Sequence, residues 1–408
     1  MTYYQSPRIS GEVADCSMPL TFDQYSNCAF GCLYCFSQYQ RAIGNGKQHY
    51  IDKEVTAVSV PRIKKMFTDP DSTHFGPYIK ARKVMQWGGL SDPFCGFEKK
   101  YGVGLELLRF FKEIDYPLCF STKGTWWLDR PEYTELFKGN KKWNIKVSII
   151  TNDAAKAKII EKGVPSPAAR LKALEAIAGL GCGGATLRLR PFLLGVSDPG
   201  HVDLINSAAD AGATAVSTEF FCLEQRSGIL KDKLKLISEC AGFDYAKIYR
   251  QYSKGSGYLR LNRNIKRTFI DEMEQATHDK GMRFYVSDAH FKERCDNGCC
   301  CGLGEDWNYS RGQFCEALII CKRNGTVSWA DISHDMEHLQ IQMTGAVNVG
   351  SSDRRAMFDD FTLYDYLRWL WNNPKAGQSP YKMFEGVMQP KGFDKDGNLV
   401  YELNEERL

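Results

Sequence analysis

The feature that most constrains this chain is an alternation. Six short β-rich runs, at 83–87, 117–123, 144–151, 185–194, 213–221 and 282–288, are separated by stretches with helical periodicity. Strand and helix in turn imply parallel strands joined by right-handed crossovers, because a tight turn cannot connect parallel neighbours. The fold class expected is therefore α/β: a partial (β/α)6 TIM-like barrel with a cysteine-rich C-terminal extension, its functional groups at the C-terminal ends of the strands. The best-marked helix opens at Ser166-Pro167, an N-cap with proline at the first helical position. It repeats apolar residues at Leu171, Leu174, Ile177 and Leu180, and Gly181 stops it.

After residue 290 the pattern changes to a cysteine-rich loop, a hairpin-like run over 315–329 with its turn at Asn324-Gly325, and an aromatic helix over 361–371. The expected division is an N-terminal segment over 1–20, the barrel over 21–290 and the extension over 291–408. A net charge of +4, from 53 basic and 49 acidic residues, is too mild to name a partner. The first twenty residues hold no apolar leader core, and no apolar run is long enough to span a bilayer, so a cytoplasmic protein without a membrane partner is expected. In that setting fifteen cysteines, several tightly clustered, suggest metal ligation rather than disulfides.

Cys28, Cys32 and Cys35 have the spacing C-x3-C-x2-C directly after the strand-like TFDQYS. Three thiolates on one loop can ligate three irons of a cubane and leave the fourth open, whereas a zinc site usually takes a fourth protein ligand. The alternative is a zinc knuckle or buried free thiols. Further along, Gly88-Gly89-Leu90-Ser91-Asp92-Pro93-Phe94 closes the second strand, with Glu98 opening the next helix; glycine there lets a ligand approach the backbone closely.

The triplet resembles the radical S-adenosylmethionine (SAM) superfamily, with Tyr34 at its aromatic position. The resemblance implies a 4Fe-4S cluster whose open iron binds SAM, reductive cleavage to a 5'-deoxyadenosyl radical, hydrogen abstraction from a substrate, and an electron donor such as flavodoxin or ferredoxin. The ordered series GGLSDPFCGFEKKYG, FSTKGTWWLDRPEY, SIITNDAAKAKIIEKGVPSPAARLKALEAI and RLRPFLLGVSD is similar to the spore photoproduct lyase and DNA-photolyase-like branch over roughly residues 20–220. It implies cofactor contacts at Tyr34, Gly88, Gly89, Ser91, Asp92 and Ser121, and roles toward SAM or substrate for Lys123, Arg188 and Arg190. One departure matters: those lyases carry a hydrogen-donating cysteine where this chain has Gly89. Cys95 is the candidate replacement, its alternative being a small buried residue.

A second cluster, Cys295, Cys299, Cys300 and Cys301 followed by Cys315 and Cys321, places six thiols within 27 residues. Four of them satisfy a structural zinc or a second 4Fe-4S cluster, and Cys295, Cys299, Cys301 and Cys315 are the expected ligands, with Cys300 and Cys321 in reserve. The stretch 245–267 carries Lys247, Arg250, Lys254, Arg260, Arg263, Lys266 and Arg267 with no acid, interleaved with Tyr245, Tyr249, Tyr252 and Tyr258. Cations can follow a phosphate backbone while aromatic faces stack on bases, so nucleic acid is the expected substrate, and a solvated helix face over packed tyrosines is the alternative. His290, His334 and His338 show no ligand spacing. Three functions follow: a radical SAM enzyme repairing or modifying a thymine-like base, one maturing a peptide or small molecule with an auxiliary cluster, and a non-catalytic zinc-stabilised nucleic-acid-binding protein.

Overall fold

The computed structural model describes residues 3–10, 13–41, 46–224, 230–253, 258–288, 290–311, 313–343 and 360–407. All six sequence-read strands form. They lie in one sheet with the order β1 (Arg8–Ile9), β2 (Leu20–Phe22), β4 (Met85–Trp87), β5 (Leu118–Thr122), β6 (Trp143–Ser148), β8 (Gly184–Phe192), β9 (Ala215–Phe220) and β12 (Arg283–Val286). From β5 to β12 every pairing is parallel, while β1 runs antiparallel to β2. The sheet is thus mixed and mostly parallel, and among the described residues no pairing of its edge strands closes it.

By compactness the chain divides into two units. The first comprises Met1–Ser6, Phe22–Val60 and Trp87–Val286. Its helix-side core is aromatic: Phe94 stacks on Trp127 at 4.6 Å between ring centres, and Phe120 meets both Phe137 and Trp143 edge-on. Each such side chain contributes about 1.5–3 kcal/mol through burial. The helix Pro167–Gly179 begins as the sequence indicates, with Ser166 Oγ accepting from Ala169 N at 3.2 Å.

The second unit comprises Pro7–Thr21, Pro61–Gln86 and Ser287–Leu408. Its small sheet has β13 (Thr326–Val327) and β14 (Met388–Phe393) on either side of β15 (Leu399–Leu403), all antiparallel. The aromatic helix forms as Leu363–Trp371, capped by Thr362 and Asp365, and its buried Trp371 donates to Leu399 O at 2.7 Å. The expected hairpin over 315–329 is instead a helix, Phe314–Asn324, followed by β13. Among the described residues no helix is long and apolar enough to cross a membrane.

Candidate functional site

The cysteine triplet lies on a loop that the rest of the first unit holds in shape. Its strand β3 (Gly31–Cys32) pairs antiparallel with β7 (Glu161–Lys162), and Leu33 N donates to Ile160 O at 2.9 Å. Lys53 Nζ donates to the carbonyls of Cys28 at 3.0 Å and Phe30 at 2.9 Å, tying down the loop's first turn. Cys32 is buried, whereas Cys28 and Cys35 are partly exposed.

The thiols have distinct neighbours. Cys35 Sγ shares a hydrogen bond with Ser37 Oγ at 3.0 Å. Cys28 stands beside the Cys95 thiol, which together with burial pushes the Cys28 thiol up. Cys95 itself is fully buried. Burial pushes the Cys32 thiol up, opposed by the Lys123 ammonium, and the Lys233 ammonium faces Cys35 and Cys32. Among the described residues no three His, Cys, Asp or Glu side chains are already placed to hold a metal ion. The donor set nevertheless fits an anionic iron-sulfur cluster: three thiols on one pinned loop, hydroxyl donors at one of them and ammonium groups nearby.

Tyr34 is locked from two sides. Its hydroxyl donates to Glu161, whose other carboxylate oxygen pairs with Arg170, and Arg170 Nη1 donates to Ser148 O at 2.7 Å. The Glu161 and Arg170 side chains are 1% and 0% exposed, so this ion pair is fully desolvated. Lys123 Nζ stands 5.6 Å from the centre of the Tyr34 ring, within cation–π range.

The glycine shelf is built by two carboxylates. Asp23, which sequence reasoning missed, accepts from Leu90 N at 3.0 Å, from Ser91 N at 2.8 Å and from Ser91 Oγ at 3.1 Å. Asp92 accepts from Phe94 N, Thr122 Oγ1 and Lys123 N at 2.9, 2.8 and 2.5 Å. Burial raises the Asp92 carboxyl's proton affinity, and those N–H and O–H donors pull it back. Gly88 has φ +94°, and a Cβ there would stand 2.7 Å from Ser121 O, so only glycine lets these two strand ends approach. Gly89 beside it is half-buried. Glu98, also buried, accepts from Tyr25, Tyr133, Gly104 N and Leu105 N, and thereby fixes the helix behind the shelf.

Neighbouring residues in a parallel sheet share a face. Across the strands the register aligns Ser121 with Lys146 and Thr186, and Ser148 with Arg188 and Ser217. Arg188 Nη1 donates to Ser148 Oγ at 3.4 Å, and Arg190 pairs with Glu219. This face therefore gathers Ser121, Arg188 and Arg190, with two residues the sequence reading missed, Lys146 and Glu219. Their signal was the alternation Asn144, Lys146, Ser148 against Ile145 and Val147.

Other expectations fare differently. In the second unit Cys299 Sγ accepts from Ser17 Oγ at 3.1 Å and from Cys301 N, while Cys315 donates to Gly298 O at 3.9 Å. Buried Lys292 pairs with Asp15 beside Cys300 and Cys315. Cys315 lies near Cys295 and Cys300, and among the described residues the C-terminal thiols, like the N-terminal three, are not set as a group placed to hold a metal ion. In the basic stretch, Tyr245 and Tyr249 are fully buried on the helix Tyr245–Tyr252 and donate to Leu194 O and Phe221 O. Lys266 is buried against Phe220. These three cannot serve as an exposed stacking and phosphate surface; Lys247, Arg250, Arg260 and Arg267 are exposed, and Lys254 lies outside the described residues. His338 is buried against Ser310, His290 pairs with Glu385 at 3.0 Å, and His334 is exposed.

No family model matches the chain. Spore photoproduct lyase complexed with dinucleoside spore photoproduct superposes on it with a TM-score of 0.50, at 17% identity over 70% of this chain and 80% of that one. The chain has the fold of that lyase. A second structure of spore photoproduct lyase, a point mutant, gives the same TM-score at 16% identity, over 70% of this chain and 80% of that one. Uncharacterised proteins of Mycobacterium tuberculosis (strain H37Rv) and Mycobacterium bovis are 27% identical over 205 residues, which is 48% of this chain. The match spans 57% of those relatives' own length.

Proposed function

We propose that the chain is a radical SAM enzyme acting on a nucleic-acid base. The observation that carries this reading is the pinned loop that presents Cys28, Cys32 and Cys35 among hydroxyl donors and ammonium groups. A 4Fe-4S cluster with SAM on its open iron, when bound, supplies one-electron cleavage of the sulfonium and a radical that takes hydrogen from a substrate.

The chain's own groups have separable tasks. Cys28, Cys32 and Cys35 hold the irons. Asp23 and Asp92 hold the Gly88–Ser91 turn, whose carbonyls suit an ammonium group, and the Lys123 ammonium suits a carboxylate. Arg188 and Arg190, balanced by Glu219, leave the strand face a positive charge that suits a phosphate-linked substrate, and this supports a nucleic acid. Base recognition is assigned to this face, because the helix bearing Tyr245 and Tyr249 offers no stacking platform there.

Replacing Cys28, Cys32 and Cys35 together with alanine should abolish dithionite-driven formation of 5'-deoxyadenosine while the aromatic core keeps the first unit folded. Undiminished product from the triple variant would refute the reading. Anisotropy titrations with short DNA, RNA and peptide probes address the substrate: salt-sensitive binding of an oligonucleotide supports it, and binding of peptide alone overturns the nucleic-acid half.

A further inference from the structure

The six thiols from Cys295 to Cys321 have no task in the proposed reaction, and their surroundings sort them. Cys295, Cys299, Cys300 and Cys301 share one loop, while Cys315 sits on the helix Phe314–Asn324, which packs against the turn Lys292–Arg294 that leads into that loop. The loop is closed on itself: Cys299 N donates to Asn297 Oδ1 at 3.0 Å, and Asn297 Nδ2 donates to Leu303 O at 2.7 Å. Four of the six thiols have neighbours in common. Cys315 faces Cys295 and Cys300, the Lys292 ammonium faces Cys300 and Cys315, and the Tyr309 hydroxyl faces Cys299 and Cys315. Cys321 instead stands beside Glu402 and Lys322, and Cys301 meets the group through its backbone N–H.

The decisive group is Tyr309. The residue is 1% exposed, and its hydroxyl has no hydrogen-bond partner. A Cβ on Gly298 would stand 3.5 Å from that hydroxyl, so it is aimed at the loop between Cys295 and Cys299. Buried hydroxyls are ordinarily satisfied, and a thiolate at Cys299 or Cys315 would accept from this one. Two further donors already point at sulfur: Ser17 Oγ and Cys301 N reach Cys299 Sγ at 3.1 and 3.4 Å. Lys292, 3% exposed, brings a cation to the same place and is held there by Asp15. Donors to sulfur and a fixed cation are what a cluster of thiolates needs around it.

We propose that Cys295, Cys299, Cys300 and Cys315 hold a second 4Fe-4S cluster. The inference does not depend on the reading of the N-terminal triplet. A zinc ion would draw four sulfurs to about 2.3 Å from one centre. Among the described residues no three side chains are placed to hold a single ion in that way. A cubane spreads the same four sulfurs over four irons, so they need not converge on one point. Binding releases the four thiol protons as four Fe–S bonds form. Every iron is then closed by a thiolate, so this centre offers SAM no open position. The loop 295–301, the helix bearing Cys315 and the segment bearing Asp15 and Ser17 all meet at it, and it acts as a clamp on the second unit.

The test uses the full chain with Cys28→Ala, Cys32→Ala and Cys35→Ala, so that only the C-terminal thiols can build a cluster. After anaerobic reconstitution with ferrous iron and sulfide, in the presence of equimolar zinc, the desalted protein should be brown and hold about four irons and four sulfides per chain. Adding Cys300→Ser or Cys315→Ser singly should empty the site, with the circular dichroism of the metal-free protein unchanged. Adding Cys301→Ala and Cys321→Ala instead should leave the iron in place. One zinc, two irons or no metal in the triple variant overturns the cluster. Iron that survives Cys300→Ser and Cys315→Ser but is lost with Cys301 or Cys321 overturns the ligand set. If wild-type protein forms no 5'-deoxyadenosine while the triple variant holds its four irons, the proposed function falls and this centre stands.

Discussion

At the scale of single residues, the site divides into groups whose chemistry is local and groups whose role depends on distant partners. The cysteine spacing and the glycine shelf are visible in the sequence because each sits within a few residues. Asp23 and Glu161 are not, because Asp23 caps a turn 67 residues away and Glu161 receives Tyr34 across 127 residues. No short pattern encodes such a pairing. The Tyr34, Glu161, Arg170 chain gives a graded expectation. Tyr34→Phe removes one hydroxyl and leaves a buried carboxylate oxygen short of a donor, which should cost about 1–3 kcal/mol. Glu161→Gln leaves the Arg170 guanidinium buried without its counter-charge and should cost more, about 3–5 kcal/mol. Urea unfolding of the two variants measures the difference, and equal stability of Glu161→Gln and wild type would show that the pair is not the lock it resembles.

Among the elements, the run 315–329 is instructive. Its β-branched residues and Asn324-Gly325 suggest a hairpin, yet Phe314, Ala317, Leu318 and Cys321 are the buried positions, at the i, i+3, i+4, i+7 spacing of a helix. Asn-Gly serves two elements equally well: a tight hairpin turn, or the left-handed residue that ends a helix. Here Gly325 has φ +77° and its N–H returns to Cys321 O at 2.8 Å. Gly325→Ala should therefore lower stability by about 1 kcal/mol, read from the urea midpoint, and Gly325→Asn by less. Equal values for alanine and glycine would remove the cap from the account. The tyrosines at 245 and 249 repeat the lesson, since a four-residue spacing puts both on one helical face. That face is buried, while Lys247 and Arg250 point outward.

For the whole molecule, the alternation of strands and helices was legible and the closure of the sheet was not. Alternation follows from local periodicity, but whether the ends of a sheet meet depends on twist and tilt summed over all the strands. The metal content belongs to this scale too. Both cysteine clusters offer thiols beside hydroxyl donors and ammonium groups, at Cys32 and Cys35 and again at Cys299 and Cys315. On the proposed function, anaerobic reconstitution should give at least four irons per chain. Eight irons, or four with one zinc, would place a second centre on the C-terminal cysteines, and four with no zinc would exclude one.

The strand that clamps the cysteine loop has a consequence in time. Gly31 and Cys32 find their partners only at Lys162 and Glu161, so the shape of the loop is a long-range property of the chain. During synthesis the three thiols leave the ribosome some 130 residues ahead of their strand partners and wait until then as ordinary reactive cysteines. On the proposed function, iron loading would then follow this pairing, and the interval before it would be when these cysteines are most open to oxidation.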